Sequence, residues 1–182
     1  MQVSEAFNLI SRAVDSGKPA HGYLLCGDLR GQCDVLTDRI LKKLFPDEIS
    51  QVEKRAHPDV AWLEAEGKSR TIHVKSMRDK IVAPMSVTAF SGGWKAGVII
   101  GADRMETEAA NAFLKTLEEP PPKTLFILQT DSPDAILPTI ISRSQRVDLP
   151  LSEGVLEGDA YEDVREVMEE AVLCETVFER AL

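Results

Sequence analysis

Three consecutive prolines, Pro120 to Pro122, constrain this chain more than any other feature. They remove three backbone donors and lock φ, so a helix arriving from the N-terminal side must stop there. Such a helix is written into the residues before them. Ala109, Ala110, Phe113, Leu114 and Leu117 fall at i, i+1, i+4, i+5 and i+8, one apolar face of an α-helix. Glu108, Asn111, Lys115 and Glu118 take the opposite face. Beyond the prolines, Leu125-Phe126-Ile127-Leu128 reads as a buried strand that ends at Gln129-Thr130-Asp131. Arg143 follows in Ile141-Ser142-Arg143-Ser144.

The same alternation runs through the chain. Apolar strands are expected near 22–26, 60–63, 98–101, 125–128 and 147–149, with helical patterns between them. That is the signature of a parallel, doubly wound α/β sheet. Residues 72–74 read either as a short extra strand or as the lead-in to a helix. Residues 86–94 are turn-rich and expected to form a surface loop. Trp94 is expected either at an interface or against the sheet edge. At 182 residues and 43% apolar, the chain can bury one sizeable core.

A phosphate-binding loop needs G-x-x-x-x-G-K-[ST] between a strand and a helix. The right place is Gly27, which follows the apolar strand 22–26 and precedes a helical stretch expected from about Val35 to Phe45. Counting from Gly27, the second glycine position holds Gln32, the lysine position Cys33 and the hydroxyl position Asp34. Using Gly31 instead still leaves Gln32, not lysine, after it. Lysine would carry the charge facing the β- and γ-phosphates, and the hydroxyl would coordinate magnesium. A carboxylate at Asp34 sets negative charge where a helix N-terminus should attract an anion. Like unit charges at about 4 Å repel by about 4 kcal/mol at an effective dielectric near 20. Gly27, Gln32, Cys33 and Asp34 therefore read as a degenerate loop with no nucleotide cofactor.

The segment from Thr107 to Arg146 closely resembles the AAA+ core of bacterial clamp-loader subunits, which carry a helix of the form A-N-A-L-L-K-T-L-E-E-P-P and later a Ser-Arg-Cys motif. Here the motif is Ser142-Arg143-Ser144: the arginine is kept and the cysteine lost. In register with the ATP-hydrolysing relatives, Ile100 falls where the magnesium-binding Asp should be and Gly101 where the catalytic Glu should be. Asp103 is the nearest carboxylate, past the strand end, and reads as a turn or cap residue. A core with these changes resembles the delta-prime type of DNA polymerase III subunit. The resemblance extends over residues 5–150. It takes in the opening amphipathic helix, His57-Pro58-Asp59-Val60, and the stretch Ile72 to Arg78. Many relatives carry a four-cysteine zinc module before H-P-D. Here 46–56 contains no cysteine, and Cys26, Cys33 and Cys174 have no zinc spacing, so no metal is expected.

The domain reading is an α/β AAA+ core over 1–150, followed by a linker and a single acidic helix over 151–182. In the resembling family a helical lid domain starts there, so this segment is expected to be the start of a truncated or missing lid. The net charge of −9 argues against a free-standing DNA-binding domain. Arg39, Lys42 and Lys43 form a small basic cluster, read either as a solvated helix face complementing the helix dipole or as a DNA contact. No apolar run is long enough to span a membrane. Three unpatterned cysteines and the lack of a secretory signal fit a cytoplasmic protein.

The resemblance implies a non-catalytic subunit in an open ring with gamma/tau and delta subunits, a ring that loads a sliding clamp onto primer-template DNA. It implies that Arg143 acts in trans as an arginine finger on ATP held by the neighbouring gamma or tau subunit. Without the family context, Arg143 reads as a surface residue complementing a helix C-terminus or pairing with a local carboxylate. Thr130 falls at the sensor-1 position and is expected to hydrogen-bond locally. Asn111 and Lys115 are expected either as a local i, i+4 pair on solvated surface or as interface residues. Two other functions fit parts of the pattern: an ATP-hydrolysing gamma/tau-type motor, and an AAA+ scaffold unrelated to replication.

Overall fold

The computed structural model describes residues 1–65, 70–90 and 93–150. The linker and acidic helix expected over 151–182 lie outside the described residues, as does part of the 86–94 loop.

Five parallel strands form one sheet in the order β2-β3-β4-β1-β5. They are β1 (Gly22–Cys26), β2 (Val60–Glu64), β3 (Lys95–Ile100), β4 (Thr124–Thr130) and β5 (Gln145–Asp148). β1, β3 and β4 are buried along their whole length. Strands covered on both faces need apolar residues at every position rather than at alternate ones, which is why 125–128 reads as an unbroken run.

The two faces carry separate cores. Tyr23, Leu25, Val98 and Ile127 point to one side. There they meet Ala6 and Ile10 of α1 (Val3–Asp15) and Leu36, Ile40 and Leu41 of α2 (Gln32–Leu44). Leu24, Ile99, Phe126 and Leu128 point to the other side. Three further helices come next in chain order, the first of them packed with α2 on the first face and the other two on the second. α3 is the short helix Ile49–Glu53, α4 is Val74–Met77, and α5 is Ala83–Ser86. A π-helical turn, Arg78–Val82, joins α4 to α5. Pro84 has no N–H to supply the ordinary i to i−4 bond, and the backbone accommodates it by widening the preceding turn. Met77 and Ile81 from this run pack against Phe113 and Leu117 of α6 (Thr107–Glu118). The last helix, α7 (Pro138–Ile141), is a single turn.

Several details differ from the sequence reading. α2 opens at Gln32, three residues earlier than expected, so Cys33 and Asp34 belong to its first turn. β3 starts at Lys95 and ends at Ile100, leaving Gly101 outside in a left-handed conformation with φ 75°. Residue 72 is both things it was expected to be. Ile72 bridges Met105 in parallel, and α4 begins two residues later. Trp94 is half-buried against the core.

Two glycines permit close approach. A Cβ at Gly97 would lie 2.7 and 2.9 Å from the Phe126 ring, so only glycine lets that ring cross β3. Phe126 then meets Phe113 edge-on, with centroids 5.0 Å apart. A Cβ at Gly22 would lie 2.7 Å from Leu117 Cδ1 and 3.3 Å from Ser144 Oγ. That absence of a side chain seats the end of α6 and the turn after α7 directly on β1. No helix among the described residues is long and apolar enough to cross a membrane.

Candidate functional site

In open α/β sheets, ligands bind beyond the C-terminal ends of the strands. Here that end is lined by the loop after β1, by Gly101 after β3 and by Thr130 at the end of β4. Gly27 N–H donates to Thr130 O at 2.9 Å, which ties the loop to β4.

The loop's backbone donors turn inward. Gly31 N–H and Cys33 N–H both donate to the Asp28 carbonyl, at 3.3 and 3.2 Å. Arg30 N–H donates to Asp28 Oδ1 at 3.1 Å. A phosphate cradle depends on such N–H groups facing outward. The Cys33 side chain, at the lysine position, is 0% exposed, with Sγ 3.8 Å from Leu25 O. Burial, with the Cys26 thiol and nearby carboxylates adding to it, pushes the Cys33 thiol up to about 12.

Asp34 does not stand as an unpaired charge at the helix start. Arg55 Nη2 lies 3.3 Å from Asp34 Oδ2, and Arg30 Nη1 lies 3.8 Å from the same oxygen. Gln129 Nε2, at the end of β4, reaches Asp34 Oδ1 at 3.3 Å and Thr37 Oγ1 at 2.7 Å. Arg30 also bonds Glu64 at 2.5 Å, and Arg55 lies over the Trp62 ring at 4.5 Å. The repulsion expected at Asp34 is thus offset by two arginines of the same chain. Neither Arg30, Arg55, Glu64 nor Gln129 stood out in the sequence. Gln129 at a strand end was the one positional signal. Arg55 approaches from the turn after α3 through a positive φ of 51°, which no local pattern announces.

At the metal-strand position Ile100 is buried, and Gly101 N–H donates to Gln129 O at 3.0 Å. Asp103 sits in a 3-10 turn, Ala102–Arg104, and accepts from Thr130 Oγ1 at 2.8 Å. Thr130 also accepts from Ser132 N–H at 3.0 Å. The sensor-position hydroxyl is therefore satisfied partly within its own turn, as expected, and partly across to the β3 side. Among the described residues no group of three or more His, Cys, Asp or Glu is arranged to hold a metal ion.

Arg143 lies just after α7, 38% exposed. Its Nε pairs with Glu118 Oε1 at 2.6 Å, and Nη1 donates to Thr139 O at 3.0 Å and Ser142 Oγ at 3.1 Å. In the free chain it bonds both a local carboxylate and a helix carbonyl. Arg146 lies on β5 and pairs with Asp148 at 2.8 Å. Asn111 and Lys115 are both exposed on α6 and do not bond each other. In the basic cluster, Lys42 pairs with Asp38 and Glu53 at 2.9 and 2.8 Å, and Lys43 with Asp15 at 2.7 Å. Those two ammonium groups serve the helix surface.

A parallel five-stranded sheet with helices on both faces and a β1–α2 loop at the strand ends defines a AAA+ P-loop-type core. The comparisons agree. The profile of the family described as DNA polymerase III, delta subunit, matches residues 2–153. The chain belongs to that family, among the clamp-loader subunits of DNA polymerase III. It is 41% identical over 95 residues to the delta-prime subunit of Pseudomonas aeruginosa, covering 52% of this chain and 29% of that protein. It is 33% identical over 153 residues to the delta-prime subunit of Haemophilus influenzae, covering 76% of this chain and 45% of that one. The tau subunit of Bacillus subtilis is 32% identical over 153 residues, covering 76% of this chain and 26% of tau. The chain thus spans less than half the length of these relatives. The crystal structure of a gamma subunit-related protein from Thermotoga maritima shares the fold. Its TM-score is 0.67 at 24% identity, covering 86% of this chain and 52% of that one.

Proposed function

We propose that this chain is the core of a delta-prime-type clamp-loader subunit that neither binds nor hydrolyses ATP. In that role it joins gamma/tau and delta subunits in a cytoplasmic complex that loads the sliding clamp onto primer-template DNA. The observation that carries the reading is the loop after β1. Its Arg30, Gly31 and Cys33 N–H groups are bonded within the loop, and Asp34 is held by Arg30 and Arg55. Phosphoryl transfer needs a lysine, a metal and a positioned water together, and Cys33, Ile100 and Gly101 stand at those positions.

The test is titration of a labelled ATP analogue with magnesium. No binding tighter than millimolar is expected. Micromolar affinity would overturn the reading in favour of a gamma/tau-type motor, a kind of subunit also found among the relatives. Capture of the clamp-loader subunits from the same source separates the proposal from a scaffold unrelated to replication.

The chemical contribution proposed for the chain is Arg143, acting in trans on ATP held by the neighbouring subunit. A guanidinium is always charged and matches phosphate oxygens in a planar fork. Trans fingers in related nucleotide switches contribute about 10³–10⁵ in rate. In a complex of full-length subunits, Arg143→Ala should leave assembly nearly intact and slow hydrolysis at the facing site. Arg143→Lys should rescue it poorly. Unchanged hydrolysis with Arg143→Ala, together with a loss for Arg146→Ala, would move the role to Arg146.

A further inference from the structure

Glu118 occupies a position that helix physics disfavours. It sits in the last residue of α6, at the negative end of the helix dipole, with Glu119 immediately after it. A carboxylate there needs a compensating cation, and Arg143 Nε supplies it at 2.6 Å. The contact is built by long-range packing rather than by chance proximity on a mobile surface. Leu117, the neighbour of Glu118, and Ser144, the neighbour of Arg143, both rest against Gly22, which has no side chain to hold them off.

The geometry at the guanidinium is selective. Nε faces Glu118, and Nη1 faces both Thr139 O and Ser142 Oγ. Nη2 bonds no described residue. Three contacts fix the plane of the group and leave Nη2, with two protons, without a hydrogen bond to the described residues.

We infer that Glu118 is a positioning residue for Arg143: it clamps Nε, so the guanidinium is presented to the neighbouring subunit's phosphates through Nη2 in a single orientation. The inference rests on the trans-finger reading of Arg143 and adds to it the group that orients the finger. Prior orientation matters because the group would otherwise lose rotamer freedom at the moment of reaction, and a misplacement of about 1 Å can cost about a hundredfold in rate. A carboxylate at Nε lies beside one Nη2 proton and leaves the outer one for a phosphate oxygen, so the finger is held in the free chain without being used up.

The test uses full-length protein in a complex whose one hydrolysis-competent ATP site is the site facing Arg143. Four versions are compared: wild type, Glu118→Gln, Arg143→Ala and the double variant. Glu118→Gln should lower kcat at that site on the order of tenfold while leaving KM for ATP and subunit assembly unchanged. In the Arg143→Ala background Glu118→Gln should cause no further loss, because it acts through the arginine. Thermal melting of each variant shows whether the fold is intact, and Glu118→Asp gives a second, shorter carboxylate that should recover part of the rate. If Arg143→Ala slows hydrolysis but Glu118→Gln does not, or if Glu118→Gln speeds it, the positioning role is overturned and the finger stands. Equal losses from Glu118→Gln with and without Arg143 would also overturn it. If Arg143→Ala has no effect at all, the finger reading itself fails, and the role of Glu118 with it.

Discussion

Ser144 stands where related chains carry a cysteine after the Ser-Arg pair, and its Oγ is buried with no hydrogen-bond partner among the described residues. It lies in the contact where the turn after α7 meets Gly22 and Leu117. A hydroxyl left unpaired out of water costs roughly 1–3 kcal/mol. Ser144→Cys and Ser144→Ala should therefore both stabilise the chain, by about 1 kcal/mol, read as a higher urea midpoint with an unchanged slope. The identities in the loop after β1 were legible at this scale, but their partners were not. Cys33 in place of lysine is visible in a line of letters; the Arg55–Asp34 bond joins residues that only the packing of α3 against α2 brings together.

The buried thiols give a second prediction. Burial, the largest cause, raises Cys26 to about 11 and Cys33 to about 12, from an ordinary value of 9.0. Folding thus favours the neutral thiols. Their contribution to stability is constant below pH ~9 and is lost as pH rises, because the unfolded chain releases these protons first. Stability should fall between about pH 9 and 11, over and above any other titration in that window, and the fall should shrink in Cys33→Ala. In a Cys174→Ser background, a maleimide at pH 8 should label the native protein far more slowly than the denatured protein.

Among elements, the alternation of apolar runs and helical stripes located all five strands, most plainly β1, β3 and β4, which are buried along their whole length. Boundaries were less legible where tertiary contacts override local pattern. Lys95 is the clearest case. It opens β3 and is only 4% exposed, although nothing in Trp94-Lys95 suggests burial of an ammonium. Its Nζ donates to the carbonyls of Pro84 and Val87, the latter at 2.6 Å, and so closes the C-terminal end of α5. Desolvation lowers its pKa, with Asp59 opposing that shift. Lys95→Met should leave both carbonyls without their cation and cost roughly 1–3 kcal/mol in chemical denaturation. Gly97→Ala tests the neighbouring element contact. Its new Cβ has to displace the Phe126 ring from 2.7 Å, and overpacking of this kind costs about 1–3 kcal/mol. A neutral result would mean that β3 and β4 separate more readily than their packing implies.

At the scale of the whole molecule, the chain's own ions close the sheet end where nucleotide binds in other AAA+ proteins. Glu64 from β2, Arg30 from the loop, Asp34 from α2 and Arg55 from beyond α3 join four separate segments there. These side chains are partly solvated, so each link is individually weak and salt-sensitive. Their joint effect is geometric: they hold the β1–α2 loop against the sheet without a ligand.

Strand order carries a consequence for synthesis. β1 lies between β4 and β5 and pairs with neither β2 nor β3. Its partners start at Thr124 and Gln145, so roughly a hundred residues must leave the ribosome before Gly-Tyr-Leu-Leu-Cys finds its first neighbour. At about 5–20 residues per second, that is a wait of some 5–20 s with an apolar strand unpaired. Nascent chains stalled before Thr124 emerges should remain sensitive to protease throughout, and resistance should appear only once β4 is clear of the exit tunnel. The strand that anchors the β1–α2 loop is thus among the first parts made and among the last to be protected, an interval in which a holding chaperone has an obvious target.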